Sequence, residues 1–142
     1  MKKNDYHHGN LKDDFLKIAF EFIANDDIEK LTLQILSDKT GTSRSAIYRH
    51  FKNKDELLDE EFAKFISIYP PDEDVNITAL KYFFRAYIVD QDIRRIIKNK
   101  DFHALQTSST LTISQFKAVT PRYREVIPVY INDYVNLERL AA

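Results

Sequence analysis

The sequence predicts an all-α protein. Its 142 residues include only two glycines and four prolines, which leaves long stretches without a strong helix breaker. Apolar residues recur at intervals of three and four along most of the chain, the period of an amphipathic helix, and β-branched residues rarely alternate with polar ones. We therefore expect helices throughout, joined by turns of Asn, Asp, Ser and Thr.

The composition excludes several classes of protein. Apolar residues make up 44% of the chain and charged residues 30%, values typical of a globular protein. No run approaches the roughly 18 apolar residues that a membrane span requires, and the first eight residues lack the apolar stretch of a secretory signal. The absence of cysteine excludes disulfides and thiolate metal sites. We expect a cytoplasmic protein without membrane association.

The N-terminal part predicts four helices. The first spans residues 11–25 and places Leu11, Phe15, Ile18, Ala19, Phe22 and Ile23 on one face. Thr32 then begins a short helix at about 33–39, which Gly41 ends. Ser43 caps a third helix at roughly 44–50, and a fourth begins at residue 53 or 54.

The segment 69–74 predicts the join between two domains, because two prolines and three acids cannot continue a helix. We expect an N-terminal domain at 1–66 and a C-terminal domain at 67–142. Helical spacing continues after the join in the stretches 80–88, 93–105 and 111–119, and Pro121 suits the first position of a last helix. Pro128 should kink that helix or mark its true start.

Charge is segregated in the N-terminal part. Residues 1–64 hold 11 Lys/Arg and 13 Asp/Glu, yet the segment 42–54 contains four cations and no acid. The next seven residues, 55–61, hold five acids. The position of the positive charge is therefore more informative than the chain's net charge of −1.

Two short helices joined by a turn that contains Gly41 form a helix-turn-helix, whose second helix can enter the major groove of DNA. Ile47 and Phe51 should face inward and leave polar side chains projecting outward. Arginine can pair with guanine, and a small residue can sit against a base edge. The alternative is that this basic stretch is only a solvated helix face.

Several segments together resemble the TetR family of regulators. They are Tyr6-His7-His8-Gly9-Asn10-Leu11, Thr32-Leu33, Thr40-Gly41-Thr42-Ser43, Ile47-Tyr48-Arg49-His50-Phe51 and Lys54-Asp55-Glu56-Leu57-Leu58. The resemblance covers about residues 6–66. It implies a three-helix DNA-binding domain followed by a helical domain for dimerisation and ligand binding.

The resemblance also implies roles for individual residues. The base-reading set would be Arg44, Ser45, Ala46 and Arg49. The phosphate-contacting set would be Thr32, Ser43, Tyr48, His50 and Lys54. The N-terminal residues Lys2, Lys3, His7 and His8 could add phosphate or minor-groove contacts, or could be disordered without DNA. The chain departs from the family pattern at Ser37, where Ala is frequent, at Thr42, where an apolar residue is frequent, and at 25–27, where the usual glycine is missing.

The C-terminal part is rich in aromatic residues. Those that could line an effector pocket are Phe83, Phe84, Tyr87, Phe102 and Phe116, although aromatics at helical spacing are more often ordinary core. His103 could contact a ligand, although a lone histidine with no partner in the sequence is more often a surface residue or one whose hydrogen bonds are satisfied within the fold. The cluster Arg94, Arg95, Lys98 and Lys100 is expected to be a solvated face, with an acidic partner as the alternative.

Two classes of function follow. The first is a homodimeric repressor that leaves its DNA operator when a small-molecule effector binds. The alternative is a co-regulator with a reduced C-terminal domain that acts through a partner protein, with weak or secondary DNA binding. The last helix should pair the two copies through Val126, Ile127, Tyr130, Ile131, Tyr134 and Leu137. We expect neither an enzyme nor a bound cofactor or metal, because no glycine-rich phosphate loop or metal-ligand spacing is present.

Overall fold

The computed structural model describes the backbone of residues 10–141 and the side chains of residues 10–131 and 133. Over this range the chain is helical, and no strand occurs among the described residues. The chain divides into two compact units, residues 1–64 and residues 65–142. The N-terminal tail with Lys2, Lys3, His7 and His8 lies outside the described residues.

The first unit contains four helices and a short 3-10 turn. They are α1 (Leu11–Ala24), the 3-10 turn η1 (Ile28–Lys30), α2 (Leu33–Thr40), α3 (Arg44–His50) and α4 (Lys54–Ile68), which continues past residue 64. Phe15, Leu36, Ile47, Phe51 and Leu57 are fully buried. These side chains come from every α-helix of the unit and from the end of α3, so one apolar core holds the helices in place.

Helix α1 ends in a left-handed turn without a glycine. Asp26 takes the positive φ of 64°, the Asp27 N–H donates to the Phe22 carbonyl at 2.8 Å, and the Asp26 N–H donates to the Ile23 carbonyl at 3.1 Å. Aspartate is among the few residues that tolerate this backbone region. Asp26 is therefore the residue within 25–27 that adopts the left-handed conformation favoured by glycine.

The second unit contains the remaining helices. They are α5 (Ile77–Val89), α6 (Gln91–Asn99), the 3-10 helix η2 (Phe102–Thr107), α7 (Ile113–Lys117) and α8 (Pro121–Ala141). Asp90 ends α5 and caps α6, and its side chain accepts from the Asp92 N–H at 2.9 Å. Helix α6 ends with Lys100 in the left-handed region at φ 58°. The stretch 93–105, expected as one apolar stripe, is thus divided between α6 and η2.

Helix α8 runs through Pro128 without ending there. Its first turn is fixed by Tyr123, which is 1% exposed and donates its hydroxyl proton to the Tyr69 carbonyl at 2.9 Å. Ile127 is fully buried and Ile131 is 6% exposed. The expectation that these two isoleucines lie on a surface that pairs two copies is wrong, because residues of the same chain already cover them.

Tyr134 and Leu137, the other end of that stripe, have side chains outside the described range. Within the part of the chain that is described, no helix has both the length and the apolar character needed to cross a bilayer.

Candidate nucleic-acid interface

The turn between α2 and α3 is short and sharply bent. Gly41 adopts φ 68° and ψ 25°, a left-handed conformation that a residue without Cβ enters at little cost. The Thr42 N–H then donates to the Ser37 carbonyl at 3.1 Å, which closes the end of α2. Helix α3 can therefore begin only two residues later and leave in a new direction.

Helix α3 has one buried and one exposed face. Ser43 caps it by accepting the Ala46 N–H at 3.1 Å. Ala46 and Ile47 are buried at 8% and 0% exposure, and Phe51, which ends the helix, is also fully buried. The remaining residues of the helix are exposed: Arg44, Ser45, Tyr48, Arg49 and His50. The core thus anchors α3 along one side and leaves a polar side free for a partner.

Three of the four expected base-reading residues lie on this exposed side. Arg44 and Ser45 occupy its first turn, and Arg49 follows one turn later with its Nε 3.4 Å from the Ser45 carbonyl. Ala46 does not belong with them. Its methyl group packs into the domain beside Ile47, so it cannot reach a base edge while the helix keeps this position.

The two capping hydroxyls have the chemistry of phosphate contacts. Thr32 Oγ1 accepts the Ile35 N–H at 3.1 Å, and Ser43 Oγ accepts the Ala46 N–H at 3.1 Å. Both residues are exposed, and a hydroxyl that accepts with its oxygen can still donate its proton to an outside acceptor. Each side chain also lies at a helix N-terminus, where the helix dipole favours an anion.

Tyr48 and His50 extend the exposed side toward the end of α3. Tyr48 is 47% exposed. The His50 ring lies 5.8 Å from the Phe15 ring in an edge-on arrangement, and its own surface remains exposed. Both rings are available to a phosphate or a sugar, and the Phe15 contact fixes the direction of His50.

Lys54 forms a hydrogen bond within its own domain. Its Nζ donates to the Ile28 carbonyl at 2.6 Å and so joins the start of α4 to η1. Burial lowers the pKa of Lys54, while the charges of Glu29 and Asp55 act in the opposite direction. Its expected phosphate contact stays a prediction, since an ammonium group has further protons to donate.

The acids at 55–61 do not all oppose DNA. Glu56 Oε1 accepts the Lys52 N–H at 2.9 Å, and Glu60 forms a salt bridge of 2.9 Å with Lys12. Glu61 is fully buried. Glu56 and Glu60 keep their negative charge in these contacts, whereas Glu61 does not face solvent, so the five carboxyl groups do not contribute equally to the surface that a phosphate would meet.

The expected pocket residues of the second unit mainly contact one another. Phe83, Phe84, Tyr87 and Phe116 are buried, and the Phe116 ring lies 5.9 Å from Phe83 and 4.9 Å from Phe102. This is the packing of an aromatic core. Phe102 differs from the others because it is 41% exposed. The effector pocket stays a prediction, with Phe102 as the ring that reaches the surface.

Other candidate residues of the second unit lie at its surface. His103 is exposed, as are Arg95, Lys98 and Lys100, and Arg95 forms a 3.2 Å ion pair with Asp92. Arg94 donates instead to the Tyr87 carbonyl at 2.6 Å. Among the residues described, no three His, Asp or Glu side chains are grouped in a way that could hold a metal ion.

Two features of the interface were not visible from local sequence patterns. The Lys54 bond to Ile28 joins residues 26 positions apart. The hydroxyl groups of Ser37 and Thr42, noted only as departures from a family pattern, form hydrogen bonds across the turn.

The chain matches a known family over part of its length. Residues 15–60 match the family model described as bacterial regulatory proteins, tetR family. The matched segment begins in α1 and ends in the first half of α4, so it contains the whole helix-turn-helix. The comparisons with curated proteins and with solved structures found no match.

Proposed function

We propose that this chain is a DNA-binding transcription regulator of the TetR family and acts as a dimeric repressor, because residues 15–60 match that family's model. Two copies would bind a near-palindromic operator in the bacterial cytoplasm, each with α3 in a major groove. A small molecule that binds the second unit would release the DNA.

The observation that carries this proposal is the two-sided character of α3. Ile47 is fully buried on one side, while Arg44, Ser45 and Arg49 are exposed on the other. Guanidinium groups can pair with guanine, and a serine hydroxyl can pair with several base edges. Thr32 and Ser43 cap the two helices of the motif and offer donors to the flanking phosphates. Base reading and positioning therefore come from adjacent parts of one motif.

The requirement for two copies follows from size. A single seven-residue helix buries too little surface for tight and specific binding. Two copies related by a twofold axis double the contacts and need half-sites about one helical turn apart, or a multiple of that distance. A near-palindromic protected sequence in a footprint would support this assembly.

Release by an effector is supported by the aromatic core of the second unit. Phe102 is half-exposed and stacks on buried Phe116, so an apolar molecule could displace Phe102 and contact the rings beneath it. Such a molecule should raise the melting temperature of wild-type protein and weaken its binding to the operator. A Phe102→Ala variant should change the affinity for the molecule and leave DNA binding intact.

The experiment that tests base reading uses Arg44. Duplexes selected by the wild-type protein from a randomised pool serve as the specific site, and an unselected duplex serves as the nonspecific one. Arg44→Ala should cost about 1–3 kcal/mol on the selected duplex and much less on the other. Arg95→Ala is the matched control, because it removes an exposed arginine from the second unit.

Equal losses on both duplexes would make Arg44 a backbone contact. A wild-type protein that retains no duplex at low salt would favour the co-regulator that acts through a partner protein.

A further inference from the structure

Side-chain hydroxyls reinforce the turn between α2 and α3. Ser37 Oγ donates to the Thr42 carbonyl at 2.7 Å, and the Thr42 N–H donates back to the Ser37 carbonyl at 3.1 Å. Ser37 is 2% exposed. The two residues are thus joined by a reciprocal pair of hydrogen bonds, of which the backbone alone would supply one.

Thr40 adds a second connection to Thr42. It is 1% exposed, and its Oγ1 lies 2.9 Å from the Leu36 carbonyl, 3.2 Å from the Ser37 carbonyl and 2.8 Å from Thr42 Oγ1. Because carbonyl oxygens only accept hydrogen bonds, the Thr40 hydroxyl donates its single proton to these two carbonyls. The Thr42 hydroxyl is then the donor to Thr40, and every polar atom of this hydroxyl cluster has a partner.

The hydroxyl cluster, Ser37, Thr40 and Thr42, acts on the residues that follow it directly. Thr42 precedes the capping Ser43 and the first helical residue, Arg44. Helix α3 has only seven residues, so its direction depends strongly on where its first turn is held. Gly41 lets the chain bend, but a glycine does not itself choose among the conformations it permits.

We propose that Ser37, Thr40 and Thr42 are positioning residues for DNA recognition, because they fix the point and direction at which α3 leaves the turn. The proposal rests on the proposed function of α3. The cluster touches no DNA itself and acts through Arg44 and Ser45. A base-edge hydrogen bond requires donor and acceptor within about 2.7–3.2 Å and near alignment, so a small shift of α3 breaks it. Contacts of long cations with phosphates tolerate the same shift.

This difference separates positioning from folding. Loss of a merely structural contact lowers the folded fraction and weakens binding to every duplex equally. Loss of a positioning contact weakens binding to the selected duplex and spares binding to unselected DNA. The ratio of the two affinities is therefore the quantity to measure.

The test uses Thr42→Val, which keeps the shape of the side chain and removes its hydroxyl, and Ser37→Ala, which removes the bond to the Thr42 carbonyl. Each should lose about five- to tenfold in affinity for the selected duplex, on the order of one hydrogen bond, and less than about twofold for the unselected duplex. Thr42→Ser retains the hydroxyl and should bind as the wild type does. Thr110→Val changes the same atoms at an exposed site of the second unit and is the control.

Melting curves and circular dichroism accompany each measurement. Equal losses on both duplexes, or a Thr42→Ser variant as weak as Thr42→Val, would overturn the proposal, and so would variants that unfold at the assay temperature. A wild-type protein that does not distinguish selected from unselected DNA would instead overturn the proposed function. Faster hydrogen exchange of the Thr42 N–H in Ser37→Ala, together with a reduced affinity ratio, supports the positioning role.

Discussion

Glu61 is a buried carboxyl group whose two oxygens have no hydrogen-bond partner among the described residues. Burial raises its pKa well above the ordinary value of 4.5, and the charge of Lys64 acts in the opposite direction. Removing a carboxylate from water without a partner is costly, so burial favours the neutral form of Glu61 in the folded protein.

The pH dependence of stability follows from this shift. Below pH 4.5 the group is protonated in both the folded and the unfolded chain and has no effect. At higher pH the unfolded chain loses the proton while the folded chain keeps it, so the folded state binds more protons and its stability falls as the pH rises. This decrease in stability ends at the pH at which Glu61 also ionises in the folded protein.

We expect Glu61→Gln to be more stable than the wild type at pH 7, by about 1 kcal/mol or more, because glutamine cannot ionise. The gain should vanish near pH 4. Urea unfolding at several pH values measures it. The matched control is Glu60→Gln, at a half-exposed residue paired with Lys12. A gain that does not change with pH would show that ionisation of Glu61 is not its source.

Lys54 gives a second prediction for a single residue. Lys54→Met keeps the aliphatic chain and removes the ammonium that donates to the Ile28 carbonyl. The free energy of unfolding should fall by about 1 kcal/mol, since that carbonyl loses a charged donor. Lys52→Met, at an exposed lysine of the same segment, should leave stability unchanged.

The competing role of Lys54 has its own signature. If Lys54 mainly contacts phosphate, Lys54→Met would keep its stability and lower the dependence of DNA affinity on salt by about one unit.

At the level of helices, the sequence predicted the ends of the helices in the first unit to within one or two residues. Caps and breakers lie within a few residues of the ends they determine, so Thr32, Gly41 and Ser43 place α2 and α3 correctly. Ala46 was expected on the exposed side of α3 but is buried. The error arose because a small residue next to Ile47 fits either side of so short a helix. Helical spacing shows that a face is apolar, but not which part of the chain covers it.

Helix α8 contains a proline in its interior, where proline destabilises an α-helix. Pro128 has no N–H to donate to the carbonyl of Arg124, one turn earlier, and its ring crowds that carbonyl. Pro128→Ala should therefore raise the free energy of unfolding by about 1–3 kcal/mol, as measured by thermal or urea unfolding. Pro121→Ala is the control, because proline at the first helical position costs no hydrogen bond. Equal effects of the two substitutions would contradict the argument.

At the scale of the whole molecule, the stripe that the spacing suggested for pairing two copies is only partly available within the described residues. Ile127 and Ile131 are covered by their own chain, whereas Val129 is 50% exposed and lies between half-buried Val126 and Tyr130. An apolar side chain exposed to this extent on the last helix remains available to a second copy.

We expect a homodimer in solution without DNA, and Val129→Glu should convert it to folded monomers with reduced operator affinity. Light scattering and sedimentation measure the mass. Ile68→Glu, at a similarly exposed isoleucine, should leave the mass unchanged. A wild-type monomer at micromolar concentration would remove the support for pairing.

Long-range contacts mark the limit of what the sequence could show. The sequence places five acids at 55–61, of which Glu60 pairs with Lys12, Glu56 accepts the Lys52 N–H and Glu61 is buried. The first contact joins residues 48 positions apart, and no local pattern indicates it. Charge counted along the chain therefore does not show which carboxyl groups are paired or buried in the fold.

Lys100 and Asp26, which hold left-handed backbone at the ends of α6 and α1, bear on how this protein can evolve. Lys100 adopts a conformation that costs an ordinary L-residue about 1 kcal/mol or more, whereas Asp26 tolerates it better and glycine enters it freely. Selection has left this strain in place, as expected when stability need only exceed the threshold for function. Substitutions at these two helix ends, away from α3, could therefore still increase the stability of the fold. A stabilising mutation there would offset the cost of destabilising substitutions in α3. Substitutions that alter operator preference but would unfold the present chain would then be compatible with folding.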